Sequence, residues 1–319
     1  MEHRTKIRFQ SLPLLTGSDL SRRKLPMIWA QSIQPHPVVW ITACGHGDEV
    51  TGIVIVQELL SLVRKFGLQR GSLYAFPIMN PIGFENISRH IPFSDEDLNR
   101  SFPGNAEGSL AERIAHIIFT QIVERTPDLV IDLHNDWIRS IPYALVDPGK
   151  EHPTLEKART YATLTGFASV LDTDLLRRSL SFNLLKKHIP AITLELGESY
   201  VVNEKNVAYG LRAILNILEY MGMVEPSARG KSYTLDQEAA GRWLFYCGQP
   251  RCSSTGILRF MVKPGQIVSK GKALAKIYNA YGRLQETLHA PARGLLLGHA
   301  ESSLAYPGAS VLSFGLLED

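Results

Sequence analysis

Cysteine is scarce in this chain: three in 319 residues, Cys44, Cys247 and Cys252. An odd, sparse count argues against a disulfide framework and suits a reducing compartment. Cys247 and Cys252 form a lone C-x4-C pair without a second pair. Two small core residues account for them better than a four-cysteine metal site. Charge of one sign is also missing. The formal net charge is +3, which points neither to nucleic acid nor to a membrane surface as partner. No run approaches 18 uninterrupted apolar residues, so no transmembrane helix is expected. The opening MEHRTKIRFQSLPLL has no apolar h-region of a secretory signal. The expectation is a cytoplasmic protein acting on a small molecule. What remains is ordinary for a globular chain, with 45% hydrophobic and 20% charged residues. The oligomeric state is left open, a homo-oligomer included.

From Pro37 the pattern alternates between strands and helices. VVWITAC is a continuous apolar run, as a strand covered on both faces would be. Glu49 to Phe66 has helical spacing, GSLYAFPIM reads as a second strand, PDLVIDLHND as a third and PAITLELG as a fourth. Helices follow over SLAERIAHIIFTQIVERT, with Ser109 and Glu112 as a capping box, and over HPTLEKARTYATLTG, SFNLLKKHI and NEKNVAYGLRAILNILEYMG. The segment NPIGFENISRHIPFSDEDLNRSFPGN reads as a long loop, a length that usually marks function or disorder. The fold class expected is α/β, a mostly parallel mixed sheet with helices on both faces, over residues 1–226. Beyond about Pro226 helical periodicity stops and turn signals dominate. TGILRFMVKPGQIVSKGKALAKI and RGLLLGHAESSLAYPGASVLSFG form a weak internal repeat. A C-terminal all-β domain is therefore expected over 227–319. It resembles the biotinyl/lipoyl barrel-sandwich fold, but its central hairpin, NAYGRLQETLHAP, lacks the lysine such carriers modify. It reads as a structural cap or an oligomer surface.

Three strand ends carry polar groups. The first has His46 and Glu49 in GHGDEVTG, the third Asp132, His134, Asn135 and Asp136, and the fourth Glu195. In an open α/β sheet, ligands bind outside the carboxyl ends of the strands, so groups far apart in sequence can meet there. Imidazole and carboxylate suit Zn²⁺, and a catalytic zinc needs three protein ligands and an open position. His46, Glu49 and His134 can supply them. A helix cap is the competing account of the first pair. Asp132 shares a strand face with His134 and can orient its imidazole, or it bonds backbone in the core. Glu195 lies in an apolar strand and needs a cation, a proton or a metal. Near a metal-activated water it could serve as general base and then general acid, although Glu198 lies only three residues on. Asn135 is a substrate-binding candidate. The long loop adds Arg89, able to hold an oxyanion, and Asn99 with Arg100, able to hold a carboxylate.

Together GHGDEVTG, NPIGFENISRHIPFSDEDLNRSFPG, DLHND and ITLELGE resemble the succinylglutamate desuccinylase/aspartoacylase family of the zinc carboxypeptidase superfamily, in family order. The nearest subgroup is that of predicted deacylases, which includes acetyl-diaminobutyrate deacetylases. The resemblance implies one Zn²⁺ per chain on His46, Glu49 and His134, with Glu195 as catalytic carboxylate. It implies Arg89 on the oxyanion side and Asn99 with Arg100 on a substrate carboxylate. No residue clearly matches the further arginine that aspartoacylases use on an acidic side chain; Arg139, Arg177 and Arg178 are the candidates. The expected activity is hydrolysis of an N-acyl amino acid or similar small amide. The alternatives are a carboxypeptidase for short or cell-wall peptides and a non-catalytic metal- or ligand-binding protein.

Overall fold

The computed structural model describes residues 5–17, 20–137, 139–173, 176–300 and 303–317. The apolar runs become strands Val38–Ala43, Ser72–Phe76, Leu129–His134 and Ala191–Glu195. The first, third and fourth pair in parallel and in that spatial order, with Ser72–Phe76 outside the first. Two short strands that periodicity does not reveal, Tyr143–Val146 and Ala168–Leu171, extend the sheet. Tyr143–Val146 runs antiparallel to Ala191–Glu195 and parallel to Ala168–Leu171. At the other edge Lys6–Thr16 and Arg22–Gln31 form a hairpin against Ser72–Phe76.

Side-chain alternation divides the core into two layers. Val39, Ile41, Ala43, Ile131, Leu133, Ile192 and Leu194 face the helices Thr51–Phe66, Pro153–Leu164 and Glu204–Tyr220. Val38, Trp40, Val130 and Ala191 face the helices Leu110–Val123 and Leu180–Lys186. The expected capping box is present: Ser109 accepts from Glu112 N, and the Glu112 side chain reaches back to Ser109 N. On this second face apolar residues give way to Thr42, Asp132, His134, Thr193 and Glu195 toward the strands' carboxyl ends. The functional groups thus occupy positions that would otherwise be core.

The long loop is partly structured. It holds a short helix, Pro81–Asn86, and one 3₁₀ turn, Leu98–Arg100. Beyond residue 226 the described chain is all strand and turn, with one antiparallel four-stranded sheet of its own. Four other strands from this region join the main sheet, through Trp243–Cys247 beside Ala168–Leu171. A two-stranded link, Arg139–Ser140 against Gly294–His299, adds a second tie. The repeat read locally in sequence therefore contributes to two sheets. Among the described residues no helix is long and apolar enough to cross a membrane.

Candidate active site

The turn after Val38–Ala43 is shaped by close approach. A Cβ on Gly47 would lie 1.9 Å from the Gly83 carbonyl carbon, so only glycine lets the helix Pro81–Asn86 sit against the turn. Asn80 Oδ1 accepts from Gly83 N at 2.8 Å and fixes that helix start. The packing leaves His46 and Glu49 buried beneath the loop.

Glu49 is the hub. Its Oε1 lies 2.6 Å from His46 Nδ1 and its Oε2 lies 2.8 Å from His134 Nδ1. Asn135 N donates to Oε2 at 3.1 Å. The outer ring nitrogens are held from behind. His134 Nε2 is 2.9 Å from Asp132 Oδ2, and His46 Nε2 is 3.1 Å from Asp97 Oδ1. Thr42 Oγ1 donates to Asp132 Oδ1 at 2.6 Å, anchoring the carboxylate in turn. One ligand atom from each of His46, Glu49 and His134 lies within 4.8 Å of the others, so the three could hold a metal ion. Two nitrogens and an oxygen, each with its outer side anchored, fit a borderline-soft divalent cation. Asp97 is the member that sequence reasoning misses. It sits in the loop, also accepts from Asn99 N at 2.8 Å, and carries no periodic signal.

The charges reinforce one another. Burial alone would raise the Glu49 carboxyl, but His46 and His134 outweigh it and hold Glu49 well below the usual carboxylate range. Burial works against charge on both imidazoles, yet Glu49 with Asp97 raises His46, and Asp132 with Glu49 raises His134.

Register sets Glu195 directly opposite His134. Its Oε2 is buried without a partner among the described residues, and burial, then the neighbouring Asp136, pushes the carboxyl well above its ordinary value. Asp136, itself raised to about 6 by burial, accepts from Tyr143 OH at 2.9 Å and Ser313 Oγ at 3.4 Å. Ser313 also accepts from Trp137 Nε1 at 2.8 Å, so a residue from the C-terminal region buttresses the site. Glu198 is separated from it. Its carboxylate accepts from Asn203 and Asn206 at 2.9 and 3.0 Å, and its carbonyl accepts from Asn135 Nδ2 at 2.7 Å. This leaves Asn135 Oδ1 buried and unpaired among the described residues. Asp48 Oδ1 is likewise buried with no partner among the described residues.

A cavity of about 240 Å³ joins these groups. His46, Glu49, Arg89, Asn99, Arg100, His134, Asn135 and Glu195 all line it. Arg89 is half-exposed and leans on Asp97 Oδ2 at 3.3 Å and Glu49 Oε1 at 3.5 Å. Arg100 Nη1 donates to the Asn99 carbonyl at 2.9 Å. Asn99 Oδ1 accepts from Leu180 N at 2.9 Å, so its amide also braces the helix Leu180–Lys186. Arg139, Arg177 and Arg178 are exposed and line none of the cavity; Arg178 pairs with Glu112. Tyr143, Asp147, Asp172 and Tyr246 line it unforeseen. A larger hollow, of about 890 Å³, lies beside the N-terminal hairpin at Lys6, Arg8 and Lys65, but gathers no comparable acid–base set.

Asp147 is 4% exposed, accepts from Ser179 Oγ at 3.4 Å and from Ser181, and is pushed by burial up to about 6 from 3.8. The folded state therefore holds this proton more tightly than the unfolded chain. The associated stability is full below about pH 4 and is lost as pH rises through 6, an effect of about 3 kcal/mol. Asp147→Asn cannot ionise, so its melting temperature relative to wild type should climb between pH 4 and 7.5. A difference that stays flat across that range would show that the carboxyl is not raised.

The chain is similar to known proteins over most of its length. An Nα-acetyl-L-2,4-diaminobutyric acid deacetylase of Halomonas elongata is 29% identical over 262 residues, 76% of this chain and 71% of the relative. The product-bound ectoine utilization protein EutE (DoeB) of Ruegeria pomeroyi superposes with a TM-score of 0.84 at 21% identity, covering 98% of this chain and 95% of the other. An aspartoacylase family protein of Mesorhizobium loti gives a TM-score of 0.81 at 20% identity, with 98% and 96% coverage. The model of the succinylglutamate desuccinylase/aspartoacylase catalytic domain matches residues 35–221, more than half the length, and the chain belongs to that family.

Proposed function

We propose that this protein is a zinc-dependent hydrolase that removes the acyl group from an N-acylated amino acid. The observation that carries the reading is the convergence of His46, Glu49 and His134 with Glu195, whose buried Oε2 has no partner among the described residues, on one small cavity. The Halomonas elongata relative, named for deacetylation of an acetylated diamino acid, supports the class of reaction. His46, Glu49 and His134 would hold the zinc ion, which would supply a Lewis acid to acidify water and polarise the amide carbonyl. Glu195 ionises once positive charge sits on the triad, takes the proton of the attacking water, and returns it to the leaving amine. Arg89 stands beside Glu49, where it can share the negative charge that develops on the carbonyl oxygen. Arg100, fixed on the Asn99 carbonyl, binds the substrate carboxylate. Asp132 and Asp97 keep the imidazoles oriented. The region beyond residue 226 contributes Tyr246 to the cavity wall and Ser313 behind Asp136, and in this reading it closes the cleft as a structural cap.

The test is metal content by elemental analysis, together with hydrolysis of a panel of acyl amino acids and dipeptides, with Glu195→Gln as control. Release of free amino acid from acyl substrates, silent in the control, is the expected result. Cleavage confined to dipeptides would make the protein a carboxypeptidase. A metal-loaded protein with no turnover on any substrate would make it a binding protein.

A further inference from the structure

Glu195 has little of its own to hold it. Its Oε2 has no partner among the described residues, so the groups that face the carboxyl set its place. Tyr143 lies directly opposite in register and is 2% exposed, and Asp136 lies close enough for its charge to act on Glu195. All three line the cavity. Tyr143 and Asp136 are fixed on each other, because Asp136 Oδ2 accepts from Tyr143 OH at 2.9 Å. The same oxygen accepts from Ser313 Oγ at 3.4 Å. Ser313 is fully buried, and its hydroxyl in turn accepts from Trp137 Nε1 at 2.8 Å. A hydroxyl has one proton to give and lone pairs to receive another, so Ser313 can serve both neighbours at once. An alanine there would strip the indole N–H of its acceptor and Asp136 of one donor.

Trp137 is seated in the same region. A Cβ on Gly298 would lie 2.5 Å from Trp137 Cδ1 and 2.9 Å from Ser140 Cβ, so the indole takes the space a side chain would need. Gly298 and His299 pair with Ser140 and Arg139, and Ile141 N donates to the Leu297 carbonyl at 2.9 Å. Residues that join His134 to Tyr143 are thus held by two strands beyond residue 226, Gly294–His299 and Leu312–Leu316. The rest of the site is anchored elsewhere. Asp132 and Asp97 hold the imidazoles, and Arg100 is fixed on the Asn99 carbonyl. None of these bonds involves Trp137 or Ser313.

We propose that Trp137 and Ser313 are positioning residues that, through Asp136 and Tyr143, hold the wall against which Glu195 works. The region beyond residue 226 then takes part in the proton transfer and does more than close the cleft. The inference rests on the deacylase reading above and adds two residues to its machinery. Because the metal ligands and the carboxylate-binding arginine hang on other bonds, loosening this wall should slow turnover and spare binding.

Trp137→Phe and Ser313→Ala should each lower kcat by about 10- to 100-fold on an acyl amino acid that wild type hydrolyses, with KM and zinc content little changed. The double variant should lose no more than the worse single one, since both break one chain of bonds. Trp137→Phe keeps an aromatic ring and loses only the N–H donor and part of the ring, so it decides the matter if Ser313→Ala does not fold. Glu286→Ala is the structural comparison. Glu286 accepts from Ser253 N and Ser254 N, each at 2.9 Å, in the separate four-stranded sheet and lines no part of the cavity. Its loss should lower the melting temperature and leave kcat as in wild type. Unchanged kcat in Trp137→Phe and Ser313→Ala, whatever happens to KM, or an equal loss in Glu286→Ala, would overturn the assignment. A second readout needs no turnover. With ¹³C at tyrosine Cζ, the Tyr143 resonance, identified as the one missing from Tyr143→Phe, should shift in both variants as the acceptor of its hydroxyl moves. If no acyl substrate is cleaved, the deacylase reading falls and this resonance decides the inference. A shift sustains the link from Ser313 to the cavity wall, and an unmoved resonance overturns it.

Discussion

Glu195→Gln should lower kcat by about 10²- to 10⁴-fold while leaving zinc content and melting temperature near wild type. The two halves of this expectation have one origin. Burial and Asp136 push the Glu195 carboxyl well above its ordinary value, so its surroundings disfavour the charged form. Glutamine has the same shape and carries no charge to bury, so the fold loses little. Proton transfer, by contrast, needs a group that can become a carboxylate when positive charge arrives and then give the proton back. An amide cannot do so. Because Glu195 and His134 sit on adjacent strands without a hydrogen bond between them, the substitution does not disturb the anchoring of the imidazole by Asp132. A variant that keeps more than a tenth of wild-type turnover would remove Glu195 from the proton path. Glu198 could not replace it, since Asn203 and Asn206 hold that carboxylate outside the cavity.

Much of the site was readable because burial and charge conflict in the sequence itself. His46, Glu49, His134 and Glu195 each follow or interrupt an apolar run that must be a covered strand, and a charge in such a place needs a partner. Strand periodicity also places Asp132 on the face of His134, and the contact at 2.9 Å follows from it. Asp97 was not readable. It reaches His46 through a loop whose path depends on Gly47 lying against Gly83, a contact with no local signature. Asp147 and Asp172 escape for another reason. The strands they follow, Tyr143–Val146 and Ala168–Leu171, have four residues each, too short for a period to show, and the pairing of those strands sets both residues on the cavity wall. Likewise the C-terminal repeat shows nothing in sequence of the edge pairing through Trp243–Cys247, which brings three of its strands, Ile267–Val268, Gly294–His299 and Leu312–Leu316, into the main sheet. Register and edge pairing are long-range choices, and composition carries little information about them.

Glu49→Gln should abolish both zinc retention and the thermal stabilisation that zinc confers. Glu49 takes both inner imidazole nitrogens and the Asn135 amide, with Arg89 at 3.5 Å. Removing its charge leaves two buried imidazoles, both raised toward the charged state, without their shared counter-ion. Removal of one partner from such a buried cluster costs about 3–5 kcal/mol, so the metal-free variant should melt below metal-free wild type. That loss alone would follow equally from a purely structural charge cluster. Zinc titration separates the two. If the triad is a metal site, wild type gains about 4 kcal/mol when free zinc stands about 1,000-fold above Kd, and its melting temperature rises with zinc concentration. The variant, with one ligand replaced by a weak amide donor, should show little of that rise at the same concentrations. Should zinc move the melting temperatures of wild type and Glu49→Gln by the same amount, the ion binds elsewhere, and the histidine–glutamate cluster serves only to hold the turn, the loop and the strand together.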